Sequence, residues 1–209
     1  LQQQAESLLA GREGVVLACD PRNGQMLAWA SAPGFDVNYP TRIDNPSSQP
    51  HINRAVQEYY QPGSTFKVLT ALTGLENGWS PERVVNCEHN FYLPRWSSPY
   101  RCLGYHGRLD LRRALKYSCN IYFYTMAWSL YREDSDYAGY QMVNLARHYG
   151  FGETTGLNNQ PESLGRGFGE KAGTLPLQSQ LRRERGSLLH LAIGQGRIEV
   201  TPLQMLMAY

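Results

Sequence analysis

Apolar residues recur along this 209-residue chain with two different periods, and the change of period predicts its elements. Residues 14–20 and 25–31 are short apolar runs on either side of Asn23-Gly24, a dipeptide suited to a tight hairpin turn. They predict an antiparallel pair of strands. Phe66, Leu69, Leu72 and Leu75 then recur at helical spacing. With Pro62-Gly63 before them and Asn77-Gly78 behind, they predict a helix over 64–77 with one buried face. Asp110 is placed to cap a helix over 110–117, and 120–131, rich in Tyr, Phe, Met and Trp, predicts a buried one. A further helix is predicted over 136–149, ending at Gly150. Thr201-Pro202 reads as a cap followed by the proline favoured in a first helical turn. Three segments lack a period: 33–62, rich in Pro, Asn and Ser; 80–109, irregular and aromatic; and 151–187, predicted as loops over the mouth of a site. There is no internal repeat.

The predicted helix over 64–77 brings Ser64 and Lys67 onto one face, roughly 5–6 Å apart as an i, i+3 pair. Ser64 falls in the first turn, where free N–H groups and the helix dipole favour an oxyanion. That suits a nucleophile activated by an amine instead of an imidazole. Lysine serves as a base only when neutral, so its pKa must fall by about three units, at a cost of about 4 kcal/mol. Phe66 and Leu69 offer the desolvation. The plainer alternative is an exposed lysine beside an ordinary N-cap serine. Ser118 and Asn120, at the junction of two predicted helices, add a second hydroxyl and an amide. Ser118 can relay a proton between Lys67 and a leaving amine, and Asn120 can hold Lys67 or a substrate amide. A cap and a turn residue are the commoner roles for both types.

Cys87, Cys102, His106 and Cys119 form a Cys-x14-Cys-x3-His-x12-Cys pattern. Three thiols and an imidazole suit a tetrahedral structural Zn²⁺. Cys119 should then point away from Ser118 and Asn120, so that a metal behind it fixes the wall presenting them. The competing reading is a Cys87–Cys102 disulfide with Cys119 as a small buried residue. His89 can substitute for His106, and Cys19 is predicted in the core.

Composition adds limits. Hydrophobic content of 42% supports a packed core, and a formal net charge of +2 gives no case for nucleic acid. The basic cluster over 181–185 is mixed in sign and reads as a solvated loop. No stretch reaches the roughly 18 apolar residues of a membrane span, and no signal peptide is expected within these residues.

The run Arg54-Ala55-Val56, then Tyr60-Gln61-Pro62-Gly63-Ser64-Thr65-Phe66-Lys67, closely resembles the nucleophile region of class B penicillin-binding proteins. Ser118-Cys119-Asn120 is similar to that family's S-x-N element. The stretches 14–20 and 23–36 are similar to its first hairpin, and Gly194-Gln195-Gly196 with Val200-Thr201-Pro202-Leu203-Gln204 to the segment before its third motif. The resemblance spans nearly the whole chain, in the family's order. It implies an α/β (α+β) fold with helices packed on an antiparallel sheet, and a D,D-transpeptidase that crosslinks peptidoglycan stem peptides. Ser64 would attack the D-Ala-D-Ala carbonyl, Lys67 take its proton and Ser118 pass it on, with β-lactams trapping Ser64. The family's Lys-Thr/Ser-Gly motif should follow the Thr201-Pro202 helix. Only Lys171-Ala172-Gly173 approaches it, too early and in a Gly-rich loop. Residues 1–209 are therefore expected to be part of the transpeptidase domain, without its C-terminal strands.

Further expectations follow from the family. They are an N-terminal membrane anchor and pedestal upstream, a periplasmic location, and partnership with a glycosyltransferase and elongation-complex proteins. No cofactor is expected for catalysis. In the family, some elongation-type members carry a metal at positions corresponding to Cys87, Cys102, His106 and Cys119, with carboxylates replacing some thiols; together with the motif at 60–67, this resemblance favours that class over the septal one. Two rivals share parts of the pattern: a serine β-lactamase or β-lactam sensor, and an inactive scaffold of the wall-synthesis complex.

Overall fold

A computed structural model describes residues 1–41, 46–133, 138–157 and 169–209. The helices are α1 (Gln2–Leu9), α2 (Arg54–Gln57), α3 (Lys67–Glu76), α4 (Leu111–Lys116), α5 (Asn120–Glu133), α6 (Ala138–His148), α7 (Gln178–Arg183), α8 (Arg185–Ala192) and α9 (Pro202–Ala208). The strands are β1 (Gly14–Cys19), β2 (Met26–Ala32), β3 (Val85–Cys87), β4 (Asn90–Phe91), β5 (Tyr100–Arg101) and β6 (Gly107–Leu109). They fall into two compact units. One comprises Leu1–Tyr60, Tyr149–Thr174 and Glu199–Tyr209; the other comprises Gln61–His148 and Leu175–Ile198.

In the first unit β1 and β2 pair antiparallel, from Gly14 opposite Ala32 to Cys19 opposite Met26. Gly24, at φ +72°, completes the turn by donating its N–H to Asp20 O at 2.8 Å. Alternation along the strands sends Val16, Ala18, Ala28 and Ala30 against α1, and Val15, Leu17 and Trp29 against α2 and α9. Both faces are covered, which explains continuous apolar runs in place of an apolar–polar alternation. Thr201 caps α9 with a reciprocal bond to Gln204, as its sequence suggested. The buried Gln204 amide then donates to Glu153 O (2.6 Å) and Ala172 O (2.8 Å), tying distant loops together. Cys19 is half-buried at the irregular end of β1 instead of lying in the core.

The second unit is built around α5. Tyr122, Phe123 and Met126 are fully buried, and α5 packs against α3, α4, α6, α8 and β3. Trp79 Nε1 donates to Tyr122 OH at 2.9 Å, so the buried phenol is satisfied. The stretch 80–109 is not irregular: β3 pairs with β6, and β4 with β5. Strands of two or three residues are too short for alternation to show. The loop expected over 151–187 contains α7 and the start of α8, and residues 158–168 of it lie outside the described residues. Leu181, read as part of a solvated loop, is buried. The start of the helix predicted over 136–149 also lies outside the described residues; α6 begins at Ala138. Helices on antiparallel strands are the α/β (α+β) class expected.

Candidate active site

The nucleophile helix does not begin as an α-helix. Gly63–Phe66 form a 3-10 turn, and the α-helical pattern starts at Lys67. Gly63 adopts φ +57°, and its N–H donates to Gly194 O at 2.8 Å. A Cβ at Gly194 would stand 2.2 Å from Gly63 O and 2.7 Å from the Phe66 Cβ, so only glycine lets the two segments approach. Phe66 is fully buried beneath the turn, whereas Ser64 is exposed. The hydroxyl thus sits where a substrate can reach it, on a turn anchored from below.

Lys67 is 2% exposed. Its Nζ lies 3.1 Å from Ser64 Oγ, 2.8 Å from Ser118 Oγ, 2.7 Å from Ser118 O and 2.6 Å from Asn120 Oδ1. The two shortest contacts are to oxygens that only accept. Asn120 is fixed in that orientation because its Nδ2 donates to Arg101 O at 3.1 Å. A neutral amine has two N–H groups and one lone pair. With both hydrogens given to Ser118 O and Asn120 Oδ1, the lone pair is left to the two hydroxyls. Burial pushes the Lys67 pKa down from 10.5 to about 8, against an opposing influence of Cys102 and Cys119. Among the described residues, no carboxylate is one of its hydrogen-bonding partners. The Phe123 ring, 5.6 Å away, closes the inner side.

Ser118 owes its position to backbone strain. Asp110 caps α4 through Arg113 N at 2.8 Å. At the other end the chain turns through Ser118 at φ +51°, with Ser118 N donating to Leu115 O (3.1 Å) and Cys119 N to Ala114 O (2.9 Å). This left-handed position usually takes glycine, and a serine there costs about 1 kcal/mol. The turn aims both the Ser118 hydroxyl and its carbonyl at Lys67, which a continuous helix would not do. Neither the strain nor the Arg101 carbonyl behind Asn120 was legible in the sequence.

Cys87, Cys102, His106 and Cys119 also converge, with all four ligand atoms within 4.8 Å of one another. Both Cys87 Sγ and Cys102 Sγ lie 3.5 Å from His106 Nδ1, and Cys102 Sγ lies 3.9 Å from Cys119 Sγ. A zinc tetrahedron with Zn–S near 2.3 Å has edges of roughly 3.8 Å, so the donor set fits with slight contraction. All the cysteines are free thiols. His89 stands apart from the cluster, stacked on Tyr105. Burial raises both the Cys102 and Cys119 thiols. For Cys102 the N–H groups of Gly104, Ile121 and Asn120 outweigh it, leaving a net lowering. Cys119 thus lies between Ser118 and Asn120, with its sulfur in the cluster. A cavity of about 700 Å³ in the first unit, lined by Glu6, Arg12, Ser31 and Pro33 among others, contains none of these residues.

A buried amine shared between two hydroxyls and an amide is an arrangement able to activate a serine, with lysine in the place of histidine. The chain belongs to the penicillin binding protein transpeptidase domain family, whose model matches residues 14–209. Peptidoglycan D,D-transpeptidase MrdA of Acinetobacter baumannii is 34% identical over 229 residues, covering 100% of this chain and 31% of that protein. Pseudomonas aeruginosa PBP2, solved in complex with WCK 5153, superposes with a TM-score of 0.81 at 30% identity, covering 99% of this chain and 48% of the other. PBP2 of Helicobacter pylori, solved with MreC, gives 0.79 at 25% identity, covering 97% and 38%. The likeness is to PBP2-type members, as expected of a class B domain. The chain spans about a third of the length of the curated relatives it matches.

Proposed function

We propose that this chain carries the acyl-transfer centre of a peptidoglycan D,D-transpeptidase of the elongation type. The observation that supports it most is the buried Lys67 Nζ, 3.1 Å from Ser64 Oγ and 2.8 Å from Ser118 Oγ. Ser64 Oγ attacks the carbonyl between the two terminal D-Ala residues of a stem peptide while its proton passes to Lys67. The developing oxyanion lies near the N–H groups of the 3-10 turn. The C–N bond breaks, and D-Ala leaves with a proton delivered from Lys67 through Ser118. An amine of a neighbouring stem then attacks the ester, its proton returns along the same path, and Ser64 is restored. The second oxyanion donor and the clamp for the substrate carboxylate belong, on this reading, to the family's Lys-Thr/Ser-Gly strand. Residues 1–209 are then part of a longer domain.

A structural Zn²⁺ held by Cys87, Cys102, His106 and Cys119 forms part of the proposal, supported by the 4.8 Å convergence of their donor atoms. Bound there, the metal would crosslink three segments of the chain, the end of β3, the loop after β5 and the turn before α5, and no step of the reaction passes through it. By analogy with the Helicobacter pylori protein solved with MreC, and with a similar chain solved in a peptidoglycan synthase complex that coordinates polymerization and crosslinking, the partners are elongation-complex proteins and a glycosyltransferase. The location is the periplasmic face of the inner membrane, with an anchor upstream.

Mass spectrometry of the full-length protein after penicillin treatment tests the reading. A stable adduct on Ser64, absent from Ser64→Ala, is expected. Rapid turnover of penicillin would favour a β-lactamase, and an unmodified Ser64 a scaffold.

A further inference from the structure

Three of the four side chains in the thiol–imidazole cluster can be oxidised as well as bind a metal. An imidazole or a carboxylate holds zinc without that vulnerability. Cys87, Cys102 and Cys119 are all free thiols, and the Cys102 and Cys119 sulfurs stand 3.9 Å apart. An S–S bond is about 2.05 Å long, so these two sulfurs need to close by roughly 1.9 Å to join. Cys87, 3.5 Å from both His106 Nδ1 and Gly104 O, is then the odd thiol. The three sulfurs are buried, but Cys102 lies between exposed Arg101 and Leu103, so the cluster sits just beneath a segment open to solvent.

Neither sulfur can move by itself. Cys119 is the middle residue of Ser118-Cys119-Asn120, and its N–H donates to Ala114 O at 2.9 Å. Cys102 follows Arg101, whose carbonyl holds Asn120 Nδ2 at 3.1 Å, and its own N–H donates to His89 O at 2.8 Å. A shift of Cys119 carries the Ser118 hydroxyl and carbonyl with it. A shift of Cys102 pulls Arg101 O away from the Asn120 amide. Either way the displacement arrives at Lys67 Nζ, 2.8 Å from Ser118 Oγ and 2.6 Å from Asn120 Oδ1. Misplacing reacting groups by about 1 Å costs about 10²-fold in rate.

We propose that Cys102 and Cys119 form a redox modification site, at which a peroxide-class oxidant makes a disulfide. The bond expels the metal and disables the Ser118–Asn120 half of the site. One thiolate attacks a peroxide oxygen, the O–O bond breaks, and a sulfenic acid and hydroxide form. The hydroxide takes the proton of the second thiol. That sulfur then attacks the sulfenic sulfur, the S–O bond breaks, and the departing hydroxide is protonated. Two thiols have lost two electrons and two protons, and one peroxide has become two waters. A disulfide sulfur offers no thiolate, so two of the four metal ligands are gone and the ion leaves. A dithiol reductant reverses the step. The effect on acylation rests on the transpeptidase reading; the bond and the metal release rest on the cluster alone.

Treating the zinc-loaded, full-length protein with hydrogen peroxide tests it. Peptide mapping locates any disulfide, a chromogenic chelator reports released zinc, and fluorescent penicillin gives the rate of Ser64 labelling. A Cys102–Cys119 bond should form together with zinc release, and labelling should slow by about 10²-fold. Dithiothreitol followed by zinc should restore the rate. Cys19→Ser, a change outside the cluster, should respond as wild type does. Absence of that bond, crosslinking with labelling unchanged, or zinc retained in the crosslinked protein would each overturn the proposal. Failure of the untreated protein to label Ser64 strikes the transpeptidase reading instead, and the disulfide and zinc readouts then still decide the modification site.

Discussion

The two halves of the candidate site are held by different physics. Ser64 and Lys67 sit one helical turn apart, so ordinary backbone geometry brings them together once the turn at Gly63 is made. Ser118 and Asn120 sit at a junction that local preference opposes. A left-handed serine, a carbonyl from β5 and a cluster of four donors drawn from three separate segments combine to hold them. The first half is local and robust; the second is assembled from afar and should be the more fragile.

The largest expected effect removes the group the halves share. Lys67→Met should slow penicillin acylation of Ser64 by about 10³-fold or more while the protein stays folded, since an apolar chain suits the buried site. Stopped-flow labelling measures it. Residual labelling close to wild type would mean that another base serves Ser64.

Changes in the distant half should follow. Cys102→Ser should lower both metal content and acylation, the latter by roughly 10–100-fold, because Asn120 and Cys119 lose their support. Metal analysis beside the labelling rate checks it. Ser118→Gly and Ser118→Ala separate strain from chemistry. Both lose the hydroxyl and should slow acylation by about 10²-fold. Glycine should also stabilise the fold by about 1 kcal/mol relative to alanine, visible in thermal unfolding, because it alone accepts φ +51° freely. Equal stability of the two would remove the strain from the account.

The smallest effect is expected in the local half. Gly194→Ala pushes against Gly63 O, Gly63 N and the Phe66 Cβ, all nearer than 3.0 Å to the added carbon, at a position with φ +68°, so the backbone of the nucleophile turn must shift. Acylation should slow by roughly tenfold, with little change in metal content.

What the sequence disclosed follows the same division. The hairpin at Asn23-Gly24, the Thr201 cap and the pairing of Ser64 with Lys67 depend on neighbours within four residues, and all were legible. The convergence of the four thiol and imidazole groups was legible as chemistry, though their distances were not. The positive φ of Ser118 was hidden because a serine advertises no such preference. The Arg101 carbonyl was hidden because backbone atoms leave no trace in side-chain patterns. β3 to β6 escaped through shortness, and α1 because Ala5 is its one buried residue among glutamines and other polar groups.

An uncharged Lys67 is the claim on which both halves depend. Its protonation can be followed directly by the ¹³Cε shift of labelled lysine in the intact protein, with Lys67→Met assigning the signal. A midpoint near 8 is expected from burial, and Ser64 acylation should rise with pH up to that point and level off above it. A midpoint at or above 10.5, with acylation still climbing there, would contradict the account.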